Sequence, residues 1–307
     1  MNTAQGVQTD TGTEPREQEL SIRIPAGGRP SGASALLIPI PPETTVQSFS
    51  AIHAPCGWQV RRVETQEGSQ SALYAVVDDR REWTINLTLR NEGRPVPLAH
   101  FRDSGGGAGE LGEDVLELYD SLNLEGASLA DKASVIAQCL ARRFQYQHGG
   151  VGGELPSLSC DALSGNCLDI NTAFMRLLEV AGVPCAYYIG YFFPAQDEQQ
   201  AHSRELVTHD WHCWVSTLDE QNNEWCWDIA HHIKRGLAPV QPALNPVPGR
   251  RFAVSAGRNL TFDLPEGRVC VSHLGFPRWI RTDGSTLETI VQAVSRPILA
   301  DSPVEES

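Results

Sequence analysis

Three side chains able to share acyl-transfer chemistry follow one another along the chain: Cys167, His212 and Asp228. A cysteine nucleophile needs a base within hydrogen-bond reach, and that base usually needs a third group to orient it. Cys167 lies three positions before Ile170, which opens the helically spaced apolar series Ile170, Ala173, Phe174, Leu177, Leu178 and Ala181. It therefore faces inward from a helix's first turn. At that position unpaired backbone N–H groups and the helix dipole favour thiolate over thiol, lowering a free-cysteine pKa of roughly 8.5. The same N–H groups would stabilise an oxyanion. The plain alternative is an inert, buried cysteine.

His212 lies in HCWVSTL and Asp228 in EWCWDIA, two strand candidates separated by the polar turn DEQNN. The two positions share parity, so a hairpin loop of three or five residues puts both on one face of a sheet, and an even loop separates them. Trp211, Trp214, Trp225 and Trp227 either wall a substrate cleft or pack a core. His209, Asp210, His212, His231 and His232 cluster closely enough to raise a metal-dependent hydrolase as a rival, although WHCWV offers strand rather than helix spacing. His231 and His232 otherwise read as surface-loop histidines.

The elements around these residues change character along the chain. Residues 1–19 are polar and read as a disordered leader. LSIRIP, ALLIPI, TVQSFSAI, GWQVRRV, SALYAVV and REWTINLTLR then read as strands of a β-sandwich over 20–104. Gly105, Gly106, Gly107 and Gly109 mark a flexible boundary. Helical spacing follows in Val115, Leu118, Tyr119 and Leu122, and again from Leu129 to Phe144, with Ser128 and Asp131 as a start signal. Gly182 and Pro184 stop the helix of Cys167, and VPCAYYIGYF continues as strand. A catalytic core over 110–240 and C-terminal strands with a tail over 241–307 complete the division.

The composition is globular, with 41% hydrophobic and 20% charged residues. A formal net charge of -14 opposes binding to nucleic acid or anionic lipid. No signal-like start and no membrane-length apolar run is present, and eight cysteines without CxxC pairs fit reduced thiols, so a cytoplasmic location is expected.

GNCLDINTAFMRLLEVAGVPCAYYIGY resembles the G-x-C-x-[DE] helix, G-[IV]-P turn and Gly-Tyr strand of bacterial transglutaminase-like proteins, relatives of papain-like proteases. HCWVS resembles that family's H-x-W-V-E strand, and WCWDIA its W...D-P strand. FQYQ, LLIPIPPETTVQ, NPVPGRRFAVSAGRNL and FPRWIRTDG extend the likeness over roughly residues 20 to 290. It departs at Ala186, Ser216 and Ile229-Ala230. The resemblance implies an α+β fold, a transglutaminase-like or papain-like core in which the nucleophile's helix packs on an antiparallel sheet, preceded by the β domain. It implies Cys167 as nucleophile, His212 as base and Asp228 as orienting carboxylate. Gln145 and Gln147 are candidate oxyanion donors, and Trp211, Trp214 and Trp227 candidate substrate contacts. The expected substrate is a peptide, amide or acyl thioester, with water or an amine as acceptor and no cofactor. A binding module that keeps the fold without catalysis is the alternative.

Overall fold

A computed structural model of the chain describes residues 17–25, 29–77, 82–103, 112–148, 157–160, 162–195, 205–209, 211–243 and 245–298. Six strands come first: β1 (Glu17–Ile24), β2 (Ala33–Pro39), β3 (Ser48–His53), β4 (Gln59–Glu64), β5 (Ser71–Val76) and β6 (Trp83–Arg90). The middle of the chain holds α1 (Leu98–Asp103), α2 (Glu113–Ser121), α3 (Leu129–Arg143), β7 (Phe144–Tyr146), β8 (Leu163–Gly165), α4 (Cys167–Val180), β9 (Cys185–Pro194), β10 (Leu206–Thr208), β11 (Trp211–Leu218), β12 (Glu224–Trp227) and α5 (Ile229–Arg235). The last strands are β13 (Gly249–Ala256), β14 (Leu260–Leu264), β15 (Gly267–Val271), β16 (Arg278–Arg281), β17 (Thr286–Glu288) and β18 (Gln292–Ile298). The fold is α+β, as expected.

Two five-stranded antiparallel sheets, ordered β10-β18-β1-β6-β3 and β17-β16-β2-β5-β4, form the sandwich. Strand β6 shows why they pack: Trp83, Ile85, Leu87 and Leu89 alternate inward along WTINLTLR. They join Leu20, Ile22, Leu36, Ile38 and Trp279 in one core. Its membership corrects the expected division in two ways. β1 starts at Glu17, inside the supposed leader, where it pairs with both β6 and β18. β16 and β18 from the end of the chain complete both sheets, so the β domain is built from both ends. The glycine stretch at 105–109 lies outside the described residues.

The second body is a four-stranded antiparallel sheet, β12-β11-β9-β13, with α4 on one face backed by α2, α3 and α5. An expected boundary at residue 240 would cut this sheet, because β13 pairs with β9 along its length. Gly190 permits that pairing: a Cβ there would lie 1.7 Å from the Phe252 carbonyl oxygen. The expected start of α3 and the expected stop of α4 are both present. Ser128 accepts from the Asp131 N–H at the head of α3, and Gly182, at φ 68°, turns the chain out of α4. No described helix is long and apolar enough to cross a membrane, and none of the eight cysteines is in a disulfide.

Candidate active site

The sulfur of Cys167 is placed by the start of α4. Asn166 is the N-cap: its side-chain oxygen accepts from the N–H groups of Leu168 and Asp169, while the Asp169 carboxylate accepts from the Asn166 N–H. The cap leaves the Cys167 N–H as the first-turn donor it does not engage. Gly165 fits because a Cβ there would come within 2.7 Å of Asp169 Cβ. The acidic residue two places after the cysteine thus closes the helix start, and the glycine two places before it gives that carboxylate room.

His212 and Asp228 are brought together by the hairpin of β11 and β12. Its loop has five residues, Asp219–Asn223, and Val215 pairs with Trp227, so positions of like parity share a face. His212 Nε2 lies 2.9 Å from both carboxylate oxygens of Asp228. Asp228 is fully buried and is not a strand residue. It caps α5, accepting from the His231 N–H at 3.0 Å. The strand expected through Ala230 therefore ends at Trp227, and His231 and His232 are buried on a helix rather than exposed on a loop. The sequence carries the signal in DIAHHIKRG, an N-cap carboxylate followed by basic residues and a C-terminal glycine.

Two further residues complete the cluster: Arg251, which the sequence alone does not single out, and His231, which it offers only as a metal ligand or a loop histidine. Arg251, on β13, places Nη2 2.5 Å from Asp228 Oδ2 and lies over the Trp214 ring, 4.9 Å from its centroid. His231 Nδ1 lies 2.8 Å from the same carboxylate oxygen, and its ring stacks on that of His212, centroids 3.9 Å apart and 7° from parallel. Asp228 thus faces two imidazoles, a guanidinium and a backbone N–H. An ionised carboxylate only accepts, so Nε2 of His212 carries the proton. Nδ1 is left as the lone-pair nitrogen, with no hydrogen-bond partner among the described residues.

The protonation state differs from the expected thiolate. The hydrogen bond to the Cys213 thiol and burial push the Cys167 thiol well above the ordinary cysteine range. Burial lowers His212 to about 4, against the pull of Asp228 and with the help of His231 and Arg251. Burial pushes Asp228 up, but the charges of His212 and Arg251 and the hydrogen bonds from His212 and His231 outweigh it and hold the carboxyl well below its usual range. Near neutral pH the cluster therefore holds a thiol and a neutral imidazole. Among the described residues no hydrogen bond joins the sulfur to the imidazole; Cys213, one residue from His212, takes that contact instead.

Cys167 and His212 nevertheless line one cleft of about 420 Å³, together with Tyr146, His148, Trp211 and His231. Of the expected substrate tryptophans, only Trp211 is in the lining. Trp214, on the sheet face opposite Trp211, packs against Tyr188 and Arg251, and Trp227 packs against Phe174 while donating to Thr217 Oγ1. Gln145 and Gln147 are exposed and outside the lining. The alternation in FQYQH buries Phe144 and turns Tyr146 and His148 to the cleft, so the glutamines point away. The metal rival is not assembled as expected: His209 Nδ1 lies 3.3 Å from the Val291 carbonyl, His232 Nδ1 lies 2.8 Å from the Asp228 carbonyl, and Asp210 is outside the described residues. His212, Asp228 and His231 do bring ligand atoms within 4.8 Å of one another. The Arg251 guanidinium already occupies that carboxylate, and its positive charge opposes a cation there.

Residues 120–227 match the family model of the transglutaminase-like superfamily, ending one residue before Asp228. No curated protein gives a significant match. Similar solved structures include one from Cytophaga hutchinsonii described as a candidate cysteine protease, with 11% identity, coverage of 92% of this chain and 98% of that one, and a TM-score of 0.46. The periplasmic domain of TgpA from Pseudomonas aeruginosa, bound to ethylmercury, has 13% identity, coverage of 71% and 91%, and a TM-score of 0.42. With Cys167 heading its central helix and His212 on its sheet, the segment 120–227 is a transglutaminase-like domain.

Proposed function

We propose that Cys167, His212 and Asp228 act as a cysteine-nucleophile triad for acyl transfer at amide or thioester carbonyls. The observation that carries this reading is the hydrogen bond from His212 Nε2 to Asp228, which leaves Nδ1 unpartnered among the described residues on a cleft that Cys167 also lines. For this chemistry the sulfur must leave Cys213 and meet Nδ1 within the cleft that Cys167 and His212 both line. It attacks the carbonyl carbon as Nδ1 takes the thiol proton. A sulfur–carbon bond forms, and the carbonyl oxygen becomes an oxyanion opposite the Cys167 N–H. Collapse expels the amine or thiol, which receives the proton from His212, and leaves an acyl thioester. Water or an amine then attacks the thioester, with His212 as base; the carbon–sulfur bond breaks and the sulfur takes the proton back from His212. Water makes the reaction hydrolysis, and an amine makes it amide formation.

The test is intact-mass analysis after incubation with a library of peptides and acyl thioesters, comparing the natural chain with Cys167→Ala. An acyl adduct mapped to Cys167 and absent from the folded variant supports the reading and names the donor. Turnover that survives Cys167→Ala would refute it, and a cleft that binds ligands without any adduct or turnover would favour a binding module.

A further inference from the structure

We propose that the cleft beside Cys167 selects substrates bearing a carboxylate next to the carbonyl under attack; this deepens the acyl-transfer reading and rests on it. The chain is strongly acidic, with 38 Asp and Glu against 24 Lys and Arg. Its cleft is the reverse. Among the described lining residues there is no Asp or Glu, and the two permanently charged groups are Lys234 and Arg235. Both are exposed, and neither is ion-paired among the described residues. Lys234 Nζ is drawn to the cleft wall, 5.1 Å from the centroid of the Tyr146 ring.

Among the described residues, the carboxylates of Asp228 and Asp169 do not offset these charges. Asp228 is fully buried and answered by Arg251. Asp169 is buried and turned into the cap of its own helix, its Oδ2 accepting from the Asn166 N–H. Setting Asp228 against Arg251 leaves Lys234 and Arg235, two positive charges facing the opening, and His148, His209 and His231 on the same wall add polar groups but no negative ones. An anion entering this cleft meets two cations without having to displace a carboxylate from them. A concave site of one sign between low-dielectric walls concentrates ligands of the opposite sign and rejects those of its own. In a molecule whose outer field repels anions, this discrimination is local to the cleft. The matching substrate is a peptide or acyl donor with an acidic side chain or a free terminal carboxylate adjoining the reactive carbonyl.

Iodoacetate and iodoacetamide test the charge preference without a known substrate. Both alkylate sulfur, forming a sulfur–carbon bond with loss of iodide, and they differ chiefly by one negative charge. The readout is the ratio of their rates at Cys167, resolved by peptide mass spectrometry and divided by the same ratio for a neutral free thiol such as N-acetylcysteine amide. We expect a normalised ratio of about five at low salt, falling toward one at high salt and in Lys234→Gln/Arg235→Gln. A ratio near one in the natural chain, or one unmoved by both the double variant and salt, would overturn the preference while leaving the triad standing. Failure of both reagents to modify Cys167 across the alkaline range, together with no acyl adduct from the donor library, would remove the triad and the preference together. Matched peptides carrying Glu or Gln beside the reactive amide then extend the test to turnover, with the Glu peptide expected to have the higher kcat/KM in the natural chain and to lose that advantage in the double variant.

Discussion

Replacing Arg251 by Met should destabilise the protein and move the protonation of His212 at the same time. The guanidinium side chain is 1% exposed and the Asp228 side chain 0%, so the substitution leaves a buried carboxylate without its cationic partner. Loss of one member of such a pair costs about 3–5 kcal/mol, a large share of the 5–15 kcal/mol by which domains are generally stable. Asp228 keeps His212, His231 and a backbone N–H, which places the expected loss at the lower end, about 3 kcal/mol. Arg251 also helps to hold His212 down. Its removal raises the His212 pKa from about 4 toward the ordinary histidine value. Urea unfolding measures the first effect, and the pH dependence of Cys167 alkylation the second, its acidic limb moving to higher pH in the variant. Adding Asp228→Asn removes the stranded charge, so the double variant should recover part of the lost stability. A single variant as stable as the natural chain, with its acidic limb unmoved, would refute the view that Arg251 sets the charge of this cluster.

Acid should weaken the fold through the same histidine. Its folded pKa of about 4 is below the ordinary 6.5, so the unfolded chain binds the proton first; the contribution is complete above about 6.5 and is lost as pH falls toward 4. The gap corresponds to about 3 kcal/mol, and Asp228, depressed in the fold, adds a loss of the same sign at still lower pH. Urea midpoints at neutral pH and near pH 4.5 check this, and equal midpoints would contradict a buried neutral imidazole. Gly190→Ala should prevent β13 from closing on β9, since the new methyl would meet the Phe252 carbonyl; a loss of at least about 3 kcal/mol, or no soluble folded protein, is expected by circular dichroism. Cys213→Ala removes the hydrogen-bonding thiol that is the largest cause of the raised Cys167 pKa, so the basic limb of Cys167 alkylation should shift to lower pH, and an unmoved limb would show that burial alone controls the sulfur.

What could be read from sequence follows the range of the interactions. The α4 stripe, the Ser128 cap, the Gly182 stop and the shared parity of His212 and Asp228 depend on neighbours within a turn or a hairpin, and all are legible in a short window. Arg251 is not. It is adjacent to Arg250 in RRFAVSA, where alternation says that one arginine faces inward but cannot say which carboxylate it meets. That partner is fixed by the pairing of β13 with β9, a non-local choice. The return of β16 and β18 to the N-terminal sandwich is hidden for the same reason, since an alternating strand reads alike whichever sheet accepts it. The glutamines are a different case. FQYQ carries its own answer, because the apolar Phe144 must take the buried face and Tyr146 shares it, leaving Gln145 and Gln147 outside. The expected thiolate failed because a helix start gives the sign of one field only. Burial and the Cys213 thiol supply larger effects of the opposite sign.

The protonation order bears on how the proposed reaction would proceed. A stored thiolate–imidazolium pair requires the histidine to hold a proton more tightly than the cysteine, and here the order is reversed, with His212 near 4 and Cys167 raised. Proton transfer must then accompany attack on the carbonyl instead of preceding it. The buried charges suit that timing. Arg251 compensates Asp228 in the resting state, so the carboxylate does not draw a proton onto His212 prematurely, while its hydrogen bond to Nε2 is already in place when Nδ1 becomes protonated. A carboxylate on the substrate, held by Lys234 and Arg235 at the mouth of the same cleft, would partly offset the positive charge that develops on the imidazole. The cationic mouth would then do more than collect substrate: it would bring in a negative charge at the step where His212 first needs one, since Asp228 is already balanced by Arg251 in the resting protein.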